Sequence, residues 1–371
     1  SMIRSNLSYD PSNKRWITKY PWLIDPRCLP DNFNSALATL RNTEKVLKRD
    51  SNWAITYGSQ IQDMVDRNVA RVLSKEELDS WTGPKFYLSH LAVLNPKSTS
   101  TPVRIVFNSS QVYQGHSLNS SLAKGPDSYL NNLLGVILRW REQPVAIAAD
   151  IRKMYNSIFI EDLEQHCHRF LWRNLEDRQP DVYCIQRVNM GDRPASAIST
   201  EAIYMTADLF QSDFPRVAEL LRTSTYVDDI VDSVESLRVA ETLAVDTEYV
   251  LKEAGFKIKS WQFSNEASPR VDPSVIPDSV EAHSTIKVLG ISWCPATDSL
   301  HYSPTLNFSK KKRGVYSQSN LTCDQIPQAI PDILTRRMVL EQSMKIYDPL
   351  GVLSPFTLQS KILLQIGRAH V

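Results

Sequence analysis

Three aspartates stand where they could do chemistry together. Asp150 closes the apolar run Pro144-Val-Ala-Ile-Ala-Ala-Asp150, and Asp228 with Asp229 interrupts the β-forming run Thr225-Tyr-Val-Asp-Asp-Ile-Val231, 78 residues further on (228 minus 150). Carboxylates grouped in this way suit hard divalent cations. Two such ions roughly 3.5–4 Å apart activate an attacking hydroxyl and stabilise a leaving oxygen, which is what phosphoryl transfer needs. Taken alone, Asp228-Asp229 is equally an acidic β-turn. Side chains alternate along a strand, so both can face one metal only if the turn bends, and Asp229 is the outlying member of the set.

Bringing position 150 to position 228 requires particular elements. The proline-rich first 30 residues read as an irregular leader, and Phe33 to Leu47 and Ile61 to Val69 show the spacing of helical faces. Ser74-x-x-Glu77 has the form of a capping box for a third helix. Phe86 to Phe107 reads as a hairpin with its tip at Pro96 to Pro102, and Tyr129 to Trp140 as a helix feeding the strand that ends in Asp150. A helix-like segment follows from Asp162 to Arg173, then a helix that starts at Pro194 and runs to Phe210, then the aspartate hairpin. Asp232 with Glu235 reads as the cap of the next helix. Two β-rich pieces, Phe256 to Trp261 and Val288 to Trp293, precede an apolar helical C-terminal stretch. The middle of the chain therefore has β-α-β-β-α-β order, a split β-α-β sheet able to gather the three carboxylates.

Composition limits the alternatives. The chain has 371 residues, 42% apolar and 22% charged, and 42 basic against 41 acidic residues leave a net charge of +1. Disordered, collagen-like and low-complexity chains are excluded, and so is a globally basic coat, though not a local basic groove. Five scattered cysteines with no C-x-x-C argue against a disulfide framework or zinc ribbon and lead one to expect a reducing compartment. No apolar run has the length of a membrane span and no secretion signal is visible, so a soluble intracellular chain without a membrane partner is expected. The opening at Ser1 and the stop after Ile362-Leu-Leu364 read as a piece cut from something longer, with 366–371 as a non-native tail.

The strand ending in Asp150, the turn Gly191-x-x-Pro-Ala195, the hairpin Y-V-D-D and V-L-G-I-S-W at 288–293 resemble, in order and spacing, the palm motifs of reverse transcriptases. More narrowly, W-I-T-K-Y-P-W, R-I-V-F-N-S-S, S-L-N-S-S-L-A-K-G-P and Y-D-P-L-G-V-L-S-P are similar to the polymerase part of Bel-Pao long-terminal-repeat retrotransposon polyproteins, over positions 15 to 365. The resemblance implies an α+β right-hand polymerase. Its palm, a β-α-β-β-α-β ferredoxin-like sheet, would take 129–163 and 190–296, after a leader and N-terminal helix at 1–59. Fingers would take 60–128 and 164–189, and a helical thumb with the start of the connection 297–365. The implied activity is RNA-directed and DNA-directed DNA synthesis on a primer 3′-hydroxyl. RNA and DNA template-primer and deoxynucleoside triphosphates would be the partners. Two Mg²⁺, or Mn²⁺ in their place, would be the cofactors. The family's ribonuclease H and integrase would lie downstream and be absent here. The compartment would be a cytoplasmic retroelement particle or the nucleus. Oligomeric state is left open.

Residue by residue, the resemblance implies that Asp150 and Asp228 are the metal ligands and Asp229 a third acidic group. Tyr155 would be the ring beneath the sugar that excludes a 2′-hydroxyl. Arg104 and Lys97 would bind the triphosphate, a charge Arg holds bidentately and Lys as a point. Ile151 and Gly191 would border the nucleotide, and Arg193 would contact template or phosphate. Lys310, Lys311 and Lys312, in the basic run with Arg313 and near Tyr302, Phe308 and Tyr316, would track phosphates, although such runs are often solvated faces. Asn108 stands where many relatives have Asp, and Met190 where retroviral enzymes commonly carry Gln. His166-Cys-His168 is not expected to bind metal, because residues two apart on a helix diverge. Trp261 and Trp293 are expected in the core. No P-loop, zincin or D-[ST]-G aspartic protease motif occurs. The rivals are a catalytically inactive nucleic-acid-binding remnant and a viral-type RNA polymerase.

Overall fold

The structure, a computed structural model, describes residues 2–94, 103–126, 129–264, 270–271, 285–302, 306–309, 311–312, 315–316, 320–321 and 324–366. It divides into two compact units: Ser1–Asn131 with Asp150–Ile230 and Glu241–Lys259, and Asn132–Ala149 with Val231–Ala240 and Ser260–Val371. The secondary structure is mixed α+β.

A five-stranded sheet has the order Thr225–Tyr226, Asp229–Val234, Val145–Ile151, Ile258–Phe263, Arg270–Val271. With the helices Ala195–Phe210 and Leu237–Glu253 placed in sequence between the strands, the first four follow the split β-α-β pattern read from the sequence. Val145–Ile151 is buried at every position but Asp150, which explains its run of apolar residues rather than an alternation. The helix Ala195–Phe210 follows Pro194 and buries nine residues.

In the first unit, the helices Phe33–Leu47 and Ser51–Asp66 lie beside sheets from Ala70–Val72, Arg169–Trp172 and Asp181–Ile185 and from the hairpin Ser89–Leu94 with Val103–Asn108. Asp50 caps the second helix by accepting the main-chain N–H groups of Asn52 and Trp53. Ser74 accepts from Glu77 N–H at 3.1 Å, as the capping box requires.

Several elements differ from the sequence reading. The supposed irregular leader forms a short helix, Met2–Asn6, and a hairpin of Leu7–Asp10 with Arg15–Thr18, which pairs in parallel with Phe159–Ile160. Its anchor is Trp16, buried and donating to Thr206 Oγ1 at 3.0 Å. The helix read as 162–173 stops at Cys167, because Arg169–Trp172 is fully buried and pairs with Asp181–Ile185. The helix Leu237–Glu253 is capped by Ser236, which accepts from Val239 N–H, whereas Asp232 is buried inside the preceding strand.

In the second unit, V-L-G-I-S-W is a tight hairpin rather than one strand. Val288 pairs with Ile291, leaving Leu289 at φ 50° and Gly290 at φ 81° as its two-residue loop. Positive φ at both loop positions matches the twist of the flanking strands. Trp293 is fully buried, lies 5.1 Å edge-on from Trp140 and donates to Asp298, which also binds Arg141. Trp261 is buried too, as expected. The unit continues into the packed helices Arg336–Ser343 and Ser354–Ile366. The four described cysteines are free, and no helix among the described residues is long and apolar enough to cross a membrane.

Candidate active site

Asp150 is the single residue of its strand that is not buried, so the strand presents one carboxylate at a partly open surface. Against it stands the aspartate hairpin, where Tyr226 pairs with Asp229 and leaves Val227 and Asp228 as the loop. Val227 takes φ 57°. A β-branched residue in the left-handed region is strained, by about 1–2 kcal/mol. The strain holds a sharp bend immediately before Asp228. Asp228 in turn accepts the Ile151 main-chain N–H on its carbonyl at 2.7 Å, and Arg152 N–H donates to the Lys257 carbonyl at 2.8 Å. Residues 150–152 are thus stitched to the hairpin on one side and to the approach of Ile258–Phe263 on the other.

The electrostatics show the same proximity. Burial pushes the Asp150 carboxyl above the usual carboxylate range, Lys259 opposes this, and the Asp228 charge adds to it. Tyr155 lies in the 3-10 turn Met154–Ser157, half-buried. Its phenol is raised by burial and then by Asp228, against a hydrogen bond from Ser196 at the start of Ala195–Phe210. Asp150, Asp228, Tyr155 and the backbone of Ile151 therefore come together. Asp229 opens the next strand, half-exposed. Among the described residues no three His, Cys, Asp or Glu side chains converge as a metal site, so Asp229 does not complete a ready-made triad. The pair Asp150 and Asp228 nevertheless fits a hard cation: both donors are carboxylate oxygens, and a nearby dication would relieve the repulsion that raises Asp150.

The loop 189–194 is pinned beside this site by a buried network. Asp192 is buried and accepts from Tyr20 Oη at 2.5 Å, Ser109 Oγ at 2.6 Å, His168 Nε2 at 2.9 Å and Asn189 Nδ2 at 3.0 Å. His168 Nδ1 also meets the Glu164 carbonyl at 2.6 Å, and Tyr20 stacks on its ring. Burial alone would raise Asp192 and lower His168. Their mutual charge and hydrogen bonds outweigh it, so Asp192 is held below its ordinary range and His168 above, as a carboxylate–imidazolium pair. Of the cluster His166-Cys-His168, His168 binds Asp192, while His166 stacks under Trp81 and accepts from Arg169.

Within that loop, a Cβ on Gly191 would meet the Phe107 carbonyl at 2.8 Å, so the close approach that demands glycine is to this chain's own backbone. Arg193 is tied by its N–H to Asn119 and by its guanidinium to the Leu122 carbonyl. Arg104 is exposed on Val103–Asn108, opposite Val93, with no partner among the described residues. The backbones of Lys311 and Lys312 form a short strand with Val315–Tyr316 in the second unit. Lys97 and Lys310 lie outside the described residues. Sequence reasoning missed Lys259, the countercharge of Asp150, whose only signal is an exposed cation on the strand Ile258–Phe263, where Ile258, Trp261 and Phe263 are buried. It also missed Asp192 and His168, for which a polar turn gives no signal.

Residues 335–369 match the family model described as a Pao retrotransposon-like RNaseH-like domain, on the stretch that the sequence reading gives to the thumb and connection. No curated protein matches this sequence. Among solved structures, the chain is similar to the foamy viral protease-reverse transcriptase in complex with RNA/DNA hybrid, at 14% identity and a TM-score of 0.47, over 87% of this chain and 32% of that one. It is also similar to the prototype foamy virus protease-reverse transcriptase CSH mutant, at 14% identity and a TM-score of 0.43, over 78% and 31% respectively. The chain thus spans about a third of the length of these solved chains. The family match thus ties the C-terminal stretch 335–369, by similarity, to Pao retrotransposon sequences.

Proposed function

We propose that the chain is the polymerase region of its polyprotein, a reverse transcriptase that adds deoxynucleotides to a primer 3′-hydroxyl on an RNA or DNA template. The observation that supports this most is the meeting of Asp150 and Asp228 across 78 residues of sequence (228 minus 150), seen in the Ile151–Asp228 hydrogen bond and in the Asp228 charge acting on Asp150. In this reading the sheet and its two helices are the palm, 60–128 and 164–189 the fingers, and the helical C-terminal stretch the thumb.

Asp150 and Asp228 would hold two Mg²⁺, which when bound supply charge to the attacking hydroxyl and the leaving pyrophosphate. The chain's own residues do the positioning. The strained Val227 loop fixes Asp228 with no reorganisation left for the reaction step, which is where phosphoryl transfer gains most. Tyr155, braced by Ser196, offers a ring beside Asp228 where a sugar would stack, and would bar a 2′-hydroxyl. Arg104, exposed and without a competing carboxylate among the described residues, is free to bind a triphosphate in the bidentate manner. Lys97, Ile151, Gly191, Arg193 and the 310–312 lysines keep the nucleotide and nucleic-acid roles assigned above.

Primer extension on an RNA template with Mg²⁺ tests the proposal. Wild type should extend with deoxynucleotides, and Asp228→Asn should lose at least about a thousandfold in rate, the order expected when a preorganised charge-stabilising group is removed. Tyr155→Val should admit ribonucleotides; unchanged discrimination would remove Tyr155 from its role. The rival reading is the inactive nucleic-acid-binding remnant. A well-folded wild type that binds template-primer and never extends it would establish that reading instead.

A further inference from the structure

Phe159 carries two guanidinium groups. Arg187 Cζ is 3.3 Å and Arg15 Cζ 4.4 Å from its ring centroid. Arg187 donates Nε to the Asn68 carbonyl and Nη1 to the Ser157 carbonyl, and its remaining nitrogen has no partner among the described residues. No carboxylate among them acts on it. Burial, then Arg15 and Arg67, push its guanidinium down to about 10, a side chain crowded by its own sign of charge. Arg67 forks onto Asp63, Lys153 reaches the same Asp63 at 3.3 Å, and Arg15 meets Asp10 at 3.1 Å. Four cations thus share two carboxylates. An excess of positive charge gathered on one face, in a chain whose total is only +1, attracts an anion to the cluster. The charges acting on Asp150 and on the Tyr155 phenol are Asp228 and Lys259, with none from this cluster.

We propose that Arg15, Arg67, Lys153 and Arg187 form a phosphate-binding surface distinct from the Asp150–Asp228 pair. Guanidinium groups match phosphate oxygens bidentately, and those stacked on an aromatic ring are already oriented for it. With two guanidinium groups on Phe159, its ring is not offered to a base, so recognition is of phosphate and independent of sequence. A nucleic-acid backbone and a nucleoside triphosphate both supply this chemistry.

Binding of a fluorescent oligo(dT) strand to the full chain, followed from about 50 to 200 mM salt, tests the surface and separates the sources. Arg15→Gln with Arg67→Gln should flatten the plot of log affinity against log salt by about 1.4, since each phosphate of a single strand that a cation neutralises adds about 0.7 to the slope. Lys45→Gln with Lys48→Gln, the same charge change on exposed helix positions, should leave the slope unaltered. Lys153→Gln, an exposed single change, should give about half the effect and keeps the test available should the double variant melt early. If strand binding is unmoved but stabilisation by dATP against heat is lost only in the cluster variants, the ligand is the triphosphate. If cluster and control variants behave alike in both measurements, the proposal fails. Because no readout is primer extension, the polymerase reading can fail independently.

Discussion

Two aspartates of the first unit have opposite fates. Asp192 is buried and saturated, with four donors arriving from positions 20, 109, 168 and 189 and a charged imidazole among them. Asp150 is half-exposed, disfavoured by burial and by a second carboxylate, and countered only by an exposed lysine. The first arrangement spends every lone pair on holding the chain together. The second leaves acceptor capacity open and its charge only partly compensated, the contrast expected between the proposed cation site and a structural buried ion pair.

The difference can be broken from either side. Asp228→Asn should produce the largest change, abolishing extension while leaving thermal unfolding unmoved or slightly raised, since it removes repulsion on Asp150; a substantial loss of stability would make Asp228 a structural residue. Asp192→Asn should do the reverse and cost about 3–5 kcal/mol in urea unfolding, because it strands a buried imidazolium. A cost under about 1 kcal/mol would show that the pair does not bind the loop.

A smaller effect is expected from pH. His168 is raised in the folded state, so its contribution is complete below the unfolded value of about 6.5 and fades as pH climbs through the folded one. Asp192 is lowered, so its contribution is complete above about 3.9 and fades as pH falls through the folded value. The stability gap between wild type and Asp192→Asn should therefore be widest between about pH 4 and 6.5 and narrow on both sides. A gap that widened steadily up to pH 9 would contradict the charged pair. The smallest change belongs to Val227→Asn. Asn tolerates the left-handed region, so the variant should gain about 1 kcal/mol, and extension should stay close to wild type because the bend before Asp228 is kept. No gain in melting temperature would mean that the loop is not strained.

The meeting of Asp150 and Asp228 was more legible in the sequence than the scaffold around it. Asp150 and Asp228 announce themselves locally, one by ending an apolar run and the other by interrupting β-formers, and the split β-α-β order that unites them follows from the succession of elements. The leader hairpin was illegible because its reason for existing is distant: Arg15–Thr18 is ordered by Phe159–Ile160 and by Thr206 beneath Trp16. Arg169–Trp172 read as helix for the same cause, since its partner strand starts at Asp181. Asp192 could not be distinguished from any loop aspartate until the fold had assembled its four donors.

The two-residue loop at Val227 and Asp228 also sets what kind of change this hairpin can absorb. Because loop length fixes hairpin register, inserting or deleting one residue between Tyr226 and Asp229 would disturb the pairing of Tyr226 with Asp229 and the placement of Asp228. Variation here is confined to swapping letters at constant length, and an engineer wishing to retune the hairpin has composition to work with but no spare chain.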